Sequence, residues 1–83
     1  MTEGTSVPTK VPTSRYAESL DTLHSIEQDR DMSARLHLDH AIKGDTVMAD
    51  VFRQSYIDEA DRVRVYRADV VRPMGDEILA AAR

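Results

Sequence analysis

The chain has no cysteine. That excludes disulfides and thiolate metal sites, and it fits a reducing, cytoplasmic setting. Aromatic residues are only 5% of the 83 positions, so any core must be aliphatic and thin. Three scattered glycines provide no phosphate-cradling loop. No apolar run approaches the ~20 residues that cross a bilayer, and no basic segment leads into an apolar one at the start, as a secretory signal would require. Ser14, Ser19, Ser25, Ser33 and Ser55 sit in helical contexts, without the sharp turn that exposes a nucleophile. The expectation is a chain without catalysis of its own and without a cofactor.

Charge is what the sequence has in quantity. Asp, Glu, Lys and Arg make up 31% of it, with a net charge of −4. A negative balance points away from whole-surface binding to nucleic acid. A domain this small is marginal by surface-to-volume ratio. With neither disulfide nor thiolate zinc to staple it, oligomerisation or docking on a larger protein is the expected support.

The longest periodic segment is Thr46–Arg72. At about 100° per residue, Met48, Phe52, Tyr56, Val63, Tyr66 and Val70 share one face. Asp58 precedes Arg62 by four, and Glu59, Asp61 and Asp69 each precede an arginine by three. Such pairs each stabilise a helix by roughly 0.2–0.5 kcal/mol. Asp45 or Thr46 can cap the start, and Pro73 reads as the stop. Upstream, Thr13 or Ser14 reads as another cap. Tyr16, Leu20, Leu23, Ala34, Leu38, Ala41 and Ile42 follow on one face. That face turns polar at Glu27, Arg30 and Asp31, so the helix either continues over residues 14–43 or breaks near 29–32. Lys43-Gly44 is a good C-terminal signal.

These elements predict an all-α chain: a two-helix antiparallel hairpin, 14–43 against 46–72, with a disordered N-terminal arm over residues 1–12 and a short C-terminal helix over 76–83. The short connection makes the helices neighbours. Residues 13–83 then form a single helical domain.

Three constellations are candidates for chemistry. Glu27 and Glu59 lie 17 residues before and 15 after Gly44, which sets them level across the hairpin. With Arg30 and Arg62 they would make a polar layer that fixes register. With His24, three before Glu27, they offer two carboxylates and an imidazole as metal ligands. That set resembles the ligand chemistry of di-iron carboxylate bundles and of ferritin-like hairpins with a site at a dimer interface. The resemblance implies a metal site at an oligomer interface. It covers three residues, and His24-x-x-Glu27 reverses the usual Glu-x-x-His order. Second, His37 and His40 are read as facing away from the apolar face, solvated or turned to a partner. Third, Arg53, Arg62, Arg64, Arg67 and Arg72 could follow phosphates, giving a nucleic-acid alternative. They alternate with Asp58, Asp61 and Asp69, which favours a solvated, ion-paired face.

The leading reading is a non-catalytic protein–protein interaction module, either a homo-oligomer or an accessory subunit on a larger protein. Its seam would be Leu20, Leu23, Leu38, Met48, Phe52, Tyr56, Val63, Tyr66 and Val70. Val47, Val51 and Val65 form a flank that one partner helix cannot also cover, and Ile57 stands apart from both.

Overall fold

The computed structural model describes residues 11–82. Most of the expected disordered arm, including the first Val-Pro-Thr at residues 7–9, lies outside the described residues. Pro12 has φ −64° and ψ 146°, extended as a proline junction requires. Helix α1 runs Thr13–Ile42 without a break. Thr13 and Ser14 do not cap it. They are already helical, and the Pro12 carbonyl accepts the first N–H groups, from Arg15 and Tyr16, at 3.0 and 3.2 Å.

Gly44 ends α1. Its φ of 81° is the left-handed conformation that a Cβ disfavours. The Gly44 N–H donates to the Ala41 carbonyl (3.1 Å) and the Asp45 N–H to the His40 carbonyl (2.9 Å), so the last turn's acceptors are satisfied. Asp45 then caps α2, Thr46–Tyr66, accepting the Met48 N–H at 3.2 Å. Three residues, Lys43, Gly44 and Asp45, thus reverse the chain, and α2 returns antiparallel along α1. The molecule is 15 × 14 Å in cross-section. That is the width of two helices, so apolar side chains off their shared seam face outward.

The seam has heptad spacing. On α1 the line of buried and half-buried residues Tyr16, Ser19, Leu23, Ile26, Arg30, Ser33, His37 and His40 runs in alternating steps of three and four, with Glu27, Ala34 and Leu36 half-buried beside it. On α2 the line is Ala49, Phe52, Glu59 and Val63, then Tyr66, with Ser55 and Ala60 half-buried beside it. This is the pattern of a coiled-coil pair, with few apolar side chains in it. Leu23, Ile26, Val63 and Val71 form the core, closed by Tyr16 and Tyr66. All of these lie toward the end away from the turn.

The expected stop at Pro73 does not occur. A π-helical turn at Arg67–Val71 leads directly into α3, Arg72–Ala82, which contains Pro73 and Gly75. An unbroken α-helix through residue 73 would drive the proline ring against the Asp69 carbonyl and leave that carbonyl without its donor. The π-turn widens the ladder there, and the Arg72 N–H reaches back five residues to the Arg67 carbonyl. It also advances the seam by one residue. Beyond Tyr66 the buried position is Val71, while Val70 is half-buried. Four residues further, Gly75 meets the Tyr16 ring: a Cβ there would stand 3.2 Å from its Oη.

Candidate interaction surfaces

Polar contacts dominate the half of the seam nearest the turn. The Ser33 hydroxyl donates to Glu59 Oε1 at 2.6 Å. His37 Nδ1 lies 2.9 Å from the Ala49 carbonyl, which can only accept, so that nitrogen carries the proton. The His40 ring stacks on Phe52, centroids 5.4 Å apart, and its Nδ1 is 3.5 Å from Asp45 Oδ2. Both histidines therefore face the seam, not away from it. The leucines had set the phase of the α1 face, whereas the seam runs through Ser19, Ile26 and Ser33 on its flank.

Glu27 and Glu59 are not level. His40, four residues before Gly44, stacks on Phe52, eight after it; Ser33, eleven before, meets Glu59, fifteen after. The offset is four residues, about one helical turn. Pairing starts one turn inside α2 because the reversal leaves Ile42 and Val47 splayed outward. Glu27 instead accepts from Arg67 at 2.7 Å on one edge of the hairpin. Arg30 turns to Asp31 (3.1 Å), and Arg62 is exposed. The four residues of the proposed layer thus go their separate ways: Glu59 to Ser33, Glu27 to Arg67, Arg30 to Asp31, and Arg62 to the exposed surface. His24, one turn before Glu27 on α1, is exposed. Among the described residues no three His, Asp or Glu side chains gather in a group that could hold a metal, so the metal reading loses its geometry.

Three of the five arginines of the proposed series sit on carboxylates: Arg53 on Asp50 (3.9 Å), Arg64 on Asp61 (2.5 Å) and Arg67 on Glu27. The hydrogen bond that Arg64 donates to Asp61, together with the Asp61 charge, raises the Arg64 pKa. This is the ion-paired face expected of the alternating charges.

Of the nine residues assigned to an interaction seam, Leu23, Phe52, Val63, Tyr66 and Val70 lie in or beside the intramolecular seam. Leu20, Leu38, Met48 and Tyr56 are exposed, Leu38 at 58% and Leu20 at 41%. The apolar side chains left outside fall on two flanks. Seven-residue steps from Glu27 place Leu20 and Ala34 on its flank, with Leu38 four beyond. Across the seam on α2, Ala60 is seven before Arg67, with Ile57 (44% exposed) three earlier. The opposite flank carries Val51, Val65 and Met32 among acids. An open groove there runs along Val65 and Val70 between Asp58, Asp61 and Asp69. Among the described residues no helix is long and apolar enough to cross a membrane. The chain matches no protein family, no curated protein and no solved structure.

Proposed function

We propose that this chain is a non-catalytic protein–protein interaction module, a helical hairpin that assembles with itself or docks as an accessory subunit on a larger protein. One observation carries the reading. Among the described residues the seam buries four core side chains larger than alanine, whereas eleven large apolar side chains stand exposed around the rod. Burial contributes roughly 25 cal/mol per Å² of apolar surface. An assembly that covers one flank therefore adds apolar driving force to that of the hairpin's own seam. The hydrogen-bonded polar seam supports the same reading, because it fixes one surface for presentation.

Light scattering after size exclusion, combined with melting at several concentrations, tests this. The expected result is a mass above 9.3 kDa with a Tm that rises with concentration, or a monomer that forms a defined complex with one protein. A stable monomer with a concentration-independent Tm and no protein partner would overturn the reading.

A further inference from the structure

Resting on that reading of the hairpin as an assembly module, we propose that the Ile57 flank seats a second copy of this chain. The two copies are related by a two-fold axis, with their α2 helices antiparallel and Ile57 of each copy on the axis. The charge order around Ile57 carries the inference. Asp50 lies seven residues before it and Arg64 seven after; Arg53 lies four before and Asp61 four after. Steps of four and seven keep all five residues on one face of α2. An antiparallel pair centred on Ile57 sets Asp50 against Arg64 of the second copy, and Arg53 against Asp61 of the second copy. Both contacts then repeat by symmetry. Every acid meets a base, and no like charges oppose.

The same four side chains already form two local pairs, Asp50–Arg53 and Asp61–Arg64, exposed at the rod surface. Exposed pairs hold weakly, so they join a four-membered network across the axis at little cost. The apolar part fits as well. Ser33 beside Glu59 fixes the level of Ile57 between Ala34 and Leu38. Leu38 and Ile57 are large exposed side chains at that level, beside Tyr56, and Ala34 and Ala60 between them let a second rod approach. The opposite flank suits a second copy poorly. It carries Asp29, Asp39, Asp58 and Asp69, with Asp61 shared at the border of the two flanks, against Lys43 and Arg62, so self-pairing there would set acid against acid.

The absence of cysteine gives a clean test, because one introduced thiol reports one contact. A residue on a two-fold axis meets itself. Ile57→Cys in the full chain should cross-link to a disulfide dimer on mild oxidation, whereas Val65→Cys and Leu79→Cys should stay monomeric on denaturing gels. Light scattering should find a dimer for the parent chain and a monomer for Ile57→Arg, with helix content unchanged because Ile57 lies off the seam. Asp50→Arg or Arg64→Asp alone should weaken the dimer about tenfold or more, and the two together should restore it. A dimer that survives Ile57→Arg, or that cross-links through Val65→Cys, overturns this geometry and leaves the assembly reading standing. So does a monomer that binds a different protein. A monomer with no partner defeats both.

Discussion

Val63 and Val65 stand two residues apart on α2 and differ in almost nothing but environment. Val63 is 2% exposed, at the centre of the cluster with Leu23, Ile26 and Val71; Val65 is 39% exposed on the acidic flank. Truncating Val63 to alanine removes two methyl groups from a filled site. At about 0.8 kcal/mol each the transfer loss is about 1.6 kcal/mol, and the cavity brings the cost to about 2–3 kcal/mol. For a domain of this size each kcal/mol lowers Tm by roughly 4–8 °C, so a fall of about 10–20 °C is expected. Val65→Ala loses less burial, leaves no enclosed cavity, and replaces a β-branched residue with the best helix former. It should leave Tm unchanged or raise it slightly. Circular dichroism melts at one fixed protein concentration measure both, since assembly makes Tm concentration-dependent. Equal losses for the two variants, or a larger one for Val65→Ala, would refute the heptad register described here.

Gly44→Ala should cost about 1–2 kcal/mol in urea unfolding; no atom lies within 4 Å of the added Cβ, so the cost is the left-handed backbone alone. Asp45→Ala should cost about 1 kcal/mol by freeing the Met48 N–H, and Asp45→Asn, which keeps the cap, should recover most of it. Gly75→Ala sets a helix-propensity gain of about 1 kcal/mol against displacement of Tyr16. Its effect should therefore be more favourable in a Tyr16→Ala background than in the parent chain, a coupling that a double-mutant cycle in urea measures.

Local features of the fold were legible because local chemistry decides them. Lys43-Gly44 announces the end of α1, and Asp45 announces the cap of α2. The hairpin follows from the short connection between them. What escaped was set by tertiary contact. Leu20 and Leu38 attract any wheel weighted by hydrophobicity, and they turned the inferred α1 face toward the Glu27 flank. The seam there is written largely in polar residues: Ser19, Ser33, His37 and His40. The available signal was the unbroken three–four spacing from Tyr16 to His40, which hydrophobicity alone does not weight. Pro73 was read by a rule for regular helices, and a π-turn evades that rule by widening the ladder ahead of the ring. Counting from Gly44 set Glu59 beside Glu27, because the turn that α2 spends outside the pairing has no sequence marker. Ile57, apart from the apolar face of α2, was visible as an anomaly, but the dyad of charges around it acquires meaning only once α2 is known to be exposed on that side.

The two halves of the seam contribute different things. Toward the open end, Leu23, Ile26, Val63 and Val71 supply most of the apolar burial, but such side chains tolerate a slip of one turn. Toward the reversal, a slip is costly. Moving α2 by a turn would take Glu59 from the Ser33 hydroxyl and Phe52 from the His40 ring. A buried hydroxyl left unpaired costs about 1–3 kcal/mol. Among the described residues no buried side-chain nitrogen or oxygen lacks a partner, so the observed register satisfies every one. Register is thus fixed by polar contacts that add little net stability, and stability rests on a small apolar cluster. A hairpin of this kind has a defined surface while it is still marginally stable. Covering Leu38 and Ile57 with another chain then stabilises the fold by mass action without altering the seam. Substitutions on that flank should for this reason change assembly first and the hairpin's own structure hardly at all, whereas substitutions at Ser33 or Glu59 should disturb register even where the apolar cluster is intact.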